Sequence, residues 1–382
     1  MKRLSELDGI RGLAIALVMS AHLGQVLDTS KRSFASRLMI DGWIGVDVFF
    51  VLSGFLITGI IVKERSREDF WGNFYLRRAF RILPAFAAVF GITLVAIHFF
   101  QPHTPVSTGY VLSAIFFLAN WPLFSHSVVP MFSHLWSLAV EEQFYFLWPQ
   151  PAKRLSTTAI FKLALALTVA CELLRIGLTL AGVSSDLQYG LTLTHFDGLT
   201  IGAALAAGIT QPSVRRFLDE WWHRIALLAI FLLAGSLLFL HSNFRVLNPQ
   251  ILRIPPAILL TSMLIYGAVE SALPSPLQRF FSSDVMTYLG RRSYALYLIN
   301  RPLQVAISDS RGHGYLARLP QGIPINLLLM VFVTAVSLIL TEISWRLIES
   351  PAQDLRRRWM LRREDGTRAH PSEEMEISEL AS

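Results

Sequence analysis

The chain has 382 residues and a formal net charge of +7, yet 53% of its residues are hydrophobic, only 16% are charged and its mean hydropathy is +0.48. A soluble domain carries about a quarter charged residues, so the composition excludes an ordinary soluble enzyme. The positive balance does not point to nucleic acid either, because the Lys and Arg residues lie between and beside long apolar runs, where membrane proteins concentrate them on the cytoplasmic side.

In chain order, Lys2-Arg3 followed by the apolar run from Ile10 to Leu23 has the outline of a signal peptide. Asp8, Arg11 and His22 in or beside the run, and no clean small-residue cleavage site after it, favour a retained first helix. Further apolar segments follow near 43–62, 82–100, 108–124, 137–150, 158–181, 195–209, 224–240, 253–270, 290–307 and 323–347. A bilayer crossing needs about 20 mostly apolar residues. The 63–81 loop, with Lys63, Arg65, Arg67, Arg77, Arg78 and Arg81, is expected on the cytoplasmic side, as are Lys153-Arg154, Arg215-Arg216, Arg291-Arg292 and Arg356–Arg358. Lys31, Arg32 and Arg37 in the first outer loop run against that pattern without overturning it.

Both termini inside requires an even number of crossings. The expectation is an all-α polytopic membrane protein of about ten transmembrane helices plus one re-entrant or interfacial helix. Segment 108–124 is the favoured non-crossing piece, and 137–150 the alternative. Residues 1–353 form the membrane domain, and the polar stretch 354–382 is expected to be a disordered cytoplasmic tail. Chemistry is therefore expected within the membrane part. The lone Cys171 excludes an intrachain disulfide and a cysteine-rich metal site, and reads as an inert apolar side chain.

Ionisable residues are costly in a bilayer and usually face a cavity. Arg11 and His22 are eleven residues apart, about three helical turns, which puts both on one face about 16 Å apart along the axis. A snorkelling Arg and a hydrogen-bonded bundle His would explain them without function. Asp47, early in the second helix, is expected at a depth similar to that of His22, where a carboxylate would orient the imidazole and raise its basicity; the alternative is a helix-terminus charge. Arg78 and Arg81, at i and i+3, point the same way and suit a phosphate, though they also obey the positive-inside rule. Helical spacing aligns Ser137, Glu141, Tyr145 and Trp148 in one polar stripe, with Glu142 on the neighbouring face. That makes Glu141 the favoured inward carboxylate.

Taken together, these residues resemble the acyltransferase-3 family of bacterial membrane O-acyltransferases. Four matches carry the resemblance: Arg11-x10-His22, the Gly45–Gly54 block, Arg78-x-x-Arg81, and Trp136-Ser137-Leu138 leading to Glu141. Later blocks agree less fully. Asn300 stands where a His is common, His195 where an Arg is usual, and Glu349-Ser350-Pro351 closes the pattern.

The resemblance implies transfer of an acyl group, most often acetyl, from cytoplasmic acyl-CoA to a hydroxyl of a cell-surface or exported carbohydrate or glycolipid in the bacterial inner membrane. On that picture Arg78 and Arg81 hold the CoA phosphates, and Arg11 lies along the pantetheine arm. His22 is the general base, oriented by Asp47. Glu141 binds the acceptor or assists proton transfer, and Trp136, Ser137, Glu142 and Tyr145 surround the substrates. No permanently bound cofactor is expected. No metal is expected, since the histidines are scattered and no His-Glu-x-x-His occurs. Gly9, Gly12, Gly45, Gly54 and Gly59 fit close helix packing rather than a phosphate loop. The rival reading is a transporter or flippase for a glycan or lipid-linked sugar, which would also carry buried His, Asp, Glu and Arg.

Overall fold

A computed structural model describes residues 4–27, 39–101, 104–121, 129–239, 248–313 and 323–369. These residues are helical with no strand among them. The helices are α1 (Ser5–Leu27), α2 (Gly45–Glu64), α3 (Phe70–Phe100), α4 (Thr108–Ile115), α5 (Leu135–Leu147) and α6 (Thr157–Leu180). Then come α7 (Thr192–Gly208), α8 (Pro212–Phe239), α9 (Pro249–Val269), α10 (Asp284–His313), α11 (Ile323–Ser344) and α12 (Ser350–Ala369), with shorter turns between them.

Among the described residues, seven helical stretches are long and apolar enough to cross a membrane: Ser5–Gly24, Asp41–Glu64, Phe70–Phe100, Thr157–Leu180, Pro212–Leu238, Pro249–Val269 and Ile325–Met360. The sequence pattern counted about ten. The three others are α5, with 13 residues, α7, with 17, and the polar α10. Nearly every residue of α7 is buried, as is the stretch of α10 around Ala295–Asn300. A helix enclosed by other helices is not held to the composition that lipid demands, so length and apolarity alone do not detect it.

Helix α4 settles how the 108–124 segment is built. Ser107 caps it by accepting from the Tyr110 amide at 3.1 Å, and it ends after eight residues where Phe117 turns left-handed (φ 55°). Eight residues rise about 12 Å, against about 30 Å of hydrocarbon. Residues 122–124 of that segment lie outside the described residues, as do Lys31, Arg32 and Arg37. α12 continues to Ala369, so residues 354–369 are helical, and residues 370–382 lie outside the described residues.

Two glycine crossings set the frame. α1 lies along α10 so closely that a Cβ on Gly290 would stand 1.7 Å from the Asp8 carbonyl oxygen. α2 lies against α7, where a Cβ on Gly54 would stand 1.8 Å from the Leu199 oxygen. Buried ion pairs then fix the surrounding helices. Arg175 of α6 bridges Glu172 at 2.8 Å and Asp197 of α7 at 2.6 Å, and Arg253 of α9 holds Asp41 at 2.5 Å, just before α2. Cys171 is buried in α6 as a free thiol.

Candidate active site

Because α1 is the helix pressed against both α2 and α10, its polar face opens onto space that these helices enclose. Three cavities adjoin along it. The first, about 680 Å³, is ringed by Arg11, Lys63, Arg81, Arg291, Arg292 and Arg356, with Trp345 and Glu349. The second, about 70 Å³, shares Arg11, Arg81, Ser293 and Tyr294 with the first and adds Ser53, Arg78, Ser137, Glu141 and Tyr297. The third, about 330 Å³, shares Val46 and Tyr297 with the second and contains His22, His134 and Arg301. We refer to them as the basic, middle and histidine cavities. Arg11 thus stands at the junction of the first two and His22 in the last, as their spacing on one helix face requires.

The basic cavity is not electrically balanced. Arg291 pairs with Asp8 at 3.5 Å and Arg292 with Glu342 at 3.2 Å. Among the described residues, Arg11, Lys63, Arg81 and Arg356 have no ion-pair partner within 4 Å. Arg292 also stacks over Trp345, 4.0 Å from the ring centroid, so an indole lines the same wall. Trp345 and Glu349 bound a π-helical turn between α11 and α12; such turns recur at functional sites.

In the middle cavity, Glu141 is the inward carboxylate. Its Oε1 accepts from Ser53 Oγ at 2.7 Å and from Tyr145 OH at 3.0 Å. Of the stripe read from spacing, Ser137 Oγ lies 2.5 Å from Tyr297 OH, and Trp148 donates to Thr58 at 2.9 Å.

Arg78 departs from its expected role. Its guanidinium is clamped by Glu142 at 2.6 and 3.2 Å, lies 3.4 Å from Glu141 and sits on the Tyr145 ring. A cation neutralised by two carboxylates offers little to a phosphate. The i, i+3 offset turns the two arginines about 60° apart on α3, enough to aim Arg78 at α5, where it borders the middle cavity alone, and leave Arg81 on both the middle and the basic cavities. Glu142 and Tyr145 accordingly border a lateral apolar groove with Phe116, Phe146 and Leu147, not the middle cavity.

His22 Nδ1 is 2.9 Å from Asn300 Oδ1. An amide oxygen accepts only, so the proton sits on Nδ1 and the Nε2 lone pair is left available. Asn300 Nδ2 is itself bonded to Ser337 at 3.4 Å. The pairing of Asp47 with His22 is corrected. Asp47 is buried and faces His195 Nε2 at 4.0 Å, on the α7 side. The reason is angular. Gly45 is the residue of α2 turned to α1, where a Cβ would meet the Ala14 oxygen at 2.4 Å. Two residues further on is 200° around the helix. His195 is packed edge-on by Phe50, Trp136 and Tyr189, and Trp136 and Tyr189 both line the histidine cavity.

Tyr297, Asn300 and Arg301 were not identified as site residues from sequence. Their spacing is the helical i, i+3, i+4 pattern on α10, and an arginine inside a buried helix was the available signal. Arg301 is held by Ser133 at 3.0 Å and Gln304 at 2.7 Å. Among the described residues no cluster of three or more His, Cys, Asp or Glu side chains is arranged to hold a metal ion.

A family model described as an acyltransferase domain, that of acyltransferase-3, matches residues 4–342. The chain is 29% identical to a peptidoglycan O-acetyltransferase, OatA, of Listeria monocytogenes, over 92% of this chain and 56% of the relative. It is 28% identical to a putative peptidoglycan O-acetyltransferase, YrhL, of Bacillus subtilis (90% and 54%) and 27% identical to an O-acetyltransferase, OatA, of Staphylococcus aureus (90% and 56%). The chain thus spans little more than half the length of these relatives. No solved structure matches it. With the family model covering the helices that build all three cavities, the chain belongs to the acyltransferase-3 family.

Proposed function

We propose that this protein is a membrane O-acyltransferase that moves an acetyl group from acetyl-CoA to a hydroxyl of a cell-wall carbohydrate. The basic cavity would open to the cytoplasm of a bacterial inner membrane, with both termini on that side. The observation that carries the reading is a single line of cavities running from four cations with no ion-pair partner within 4 Å among the described residues to a histidine held in one tautomer.

The chemistry follows from the order of groups along that line. Arg81, Lys63 and Arg356 take the CoA phosphates. Arg11, about 16 Å from His22 along α1, neutralises the donor where it enters the middle cavity, and the thioester arm passes Glu141 and Tyr297. His22 Nε2 removes the proton from the acceptor hydroxyl as its oxygen attacks the thioester carbonyl. Collapse of the tetrahedral adduct breaks the C–S bond, and the leaving thiolate takes the proton back from His22. Arg301, on the same wall, faces the oxyanion that develops in that step. The names of the Listeria and Bacillus relatives support a peptidoglycan sugar as acceptor.

The test is turnover of labelled acetyl-CoA by the purified full chain with muropeptides stripped of O-acetyl groups. Wild type is expected to label the glycan, and His22→Ala to lose at least a hundredfold in rate, the scale of a general base. Equal transfer by a folded His22→Ala protein would refute the mechanism, and movement of glycan without acetyl-CoA consumption would instead favour a transporter.

A further inference from the structure

The histidine cavity contains a second imidazole that the proposed reaction leaves unused. His134 is 5% exposed, and neither ring nitrogen has a hydrogen-bond partner among the described residues. Its backbone position is fixed, because its carbonyl accepts from Tyr297 OH at 2.8 Å and from Ser137 Oγ at 3.2 Å. One side of the ring meets Tyr297 edge-on, with centroids 5.3 Å apart, and another borders a small pocket lined by apolar side chains, including Phe86, Phe90 and Leu298. Apart from the Met131 backbone beside it, polar partners reach the ring from the cavity it shares with His22.

Leaving a buried polar side chain unpaired is unfavourable, and a ring buried with no carboxylate against it stays uncharged. It then presents one N–H and one lone pair. An alcohol, both donor and acceptor, matches that combination. His134 is not placed to be the base, since no side chain orients its ring as Asn300 orients His22, and a base needs such an orienting partner.

We propose that His134 is a positioning residue for the acceptor. It hydrogen-bonds a hydroxyl of the sugar that enters the histidine cavity, next to the hydroxyl that His22 deprotonates. The inference rests on the acyltransferase reading above and specifies which side chain of that site recognises the acceptor.

The experiment measures separate KM values for acetyl-CoA and for de-O-acetylated muropeptides with the full chain, as wild type, His134→Ala and His134→Gln. His134→Ala should raise the muropeptide KM about tenfold or more, the loss of one good hydrogen-bond contact, with the acetyl-CoA KM within twofold. His134→Gln, which keeps a donor and an acceptor, should recover most of the loss. An unchanged muropeptide KM, a parallel rise in both KM values, or aggregation of both variants on size exclusion would overturn the inference and make His134 structural. Wild type that fails to acetylate muropeptides would overturn the acyltransferase reading before any substitution is made, and this inference with it.

Discussion

The sharpest disagreement between spacing and structure concerns Arg78, and it makes a measurable prediction. If Arg78 is a clamp rather than a phosphate ligand, Arg78→Met should act on stability more than on donor affinity. The guanidinium and the Glu142 carboxylate have side chains only 11% and 16% exposed, and they meet through two contacts, at 2.6 and 3.2 Å. Removing one member of such a buried pair costs about 3–5 kcal/mol, because the other charge is left unpaired. At roughly 2 °C per kcal/mol for a long chain, thermal unfolding in detergent should fall by about 6–10 °C. The double variant Arg78→Met/Glu142→Gln removes both charges and should recover a large part of that loss, since replacing a whole buried pair is often nearly neutral. A phosphate ligand predicts the reverse. An Arg78→Met protein with an unchanged midpoint and a tenfold higher KM for acetyl-CoA would refute the clamp.

Three further outcomes are expected. Asn300→Leu, which removes the acceptor that holds His22, should lower kcat by about ten- to a hundredfold with little change in acetyl-CoA KM, while Asn300→Asp keeps an acceptor and should retain more activity; steady-state kinetics separate the two. Arg81→Ala should raise the acetyl-CoA KM about tenfold, the scale of a charged hydrogen bond, and make it less sensitive to salt, whereas the muropeptide KM should not move. Gly54→Ala should abolish folded protein on size exclusion, because its Cβ would fall 1.8 Å from a backbone oxygen, whereas Gly91→Ala, with nothing within 4 Å, should be tolerated.

What could be read from the sequence was what a single helix determines. Arg11 and His22 share a face of α1 whatever surrounds it, and so do Ser137, Glu141 and Tyr145 on α5; the cavities follow the α1 pair and, on α5, Ser137 and Glu141, to which Tyr145 is joined by a hydrogen bond. What could not be read depends on how helices are rotated against one another. Asp47 has the right depth to meet His22, but Gly45 takes the α1-facing position and turns Asp47 toward His195. Arg78 and Arg81 look equivalent until α5 supplies two acids to one of them. Asn300 stands where the family often has a His, and only the packing of α10 on α1 shows that its amide oxygen meets Nδ1 of His22.

The distribution of ion pairs separates the charges that hold the bundle from those that are left for a ligand. Arg77, Arg78, Arg175 and Arg253 each join one helix to another element through an acid. Arg11, Lys63, Arg81 and Arg356 come from three helices and the start of a fourth, α12, yet converge on one cavity whose acids are engaged by other residues, Asp8 by Arg291, Glu64 by Arg77 and Glu349 by Ser344. Bringing four like charges together opposes folding, and solvent screens that repulsion only in part over the few ångströms of a cavity. A purely structural role would be met more cheaply by an apolar lining, as α7 and α9 achieve elsewhere in the same bundle. The arrangement becomes favourable when a polyanion occupies the cavity, and a donor with several phosphates on a slender arm fits both the charge at one end and the narrow middle cavity that leads to His22.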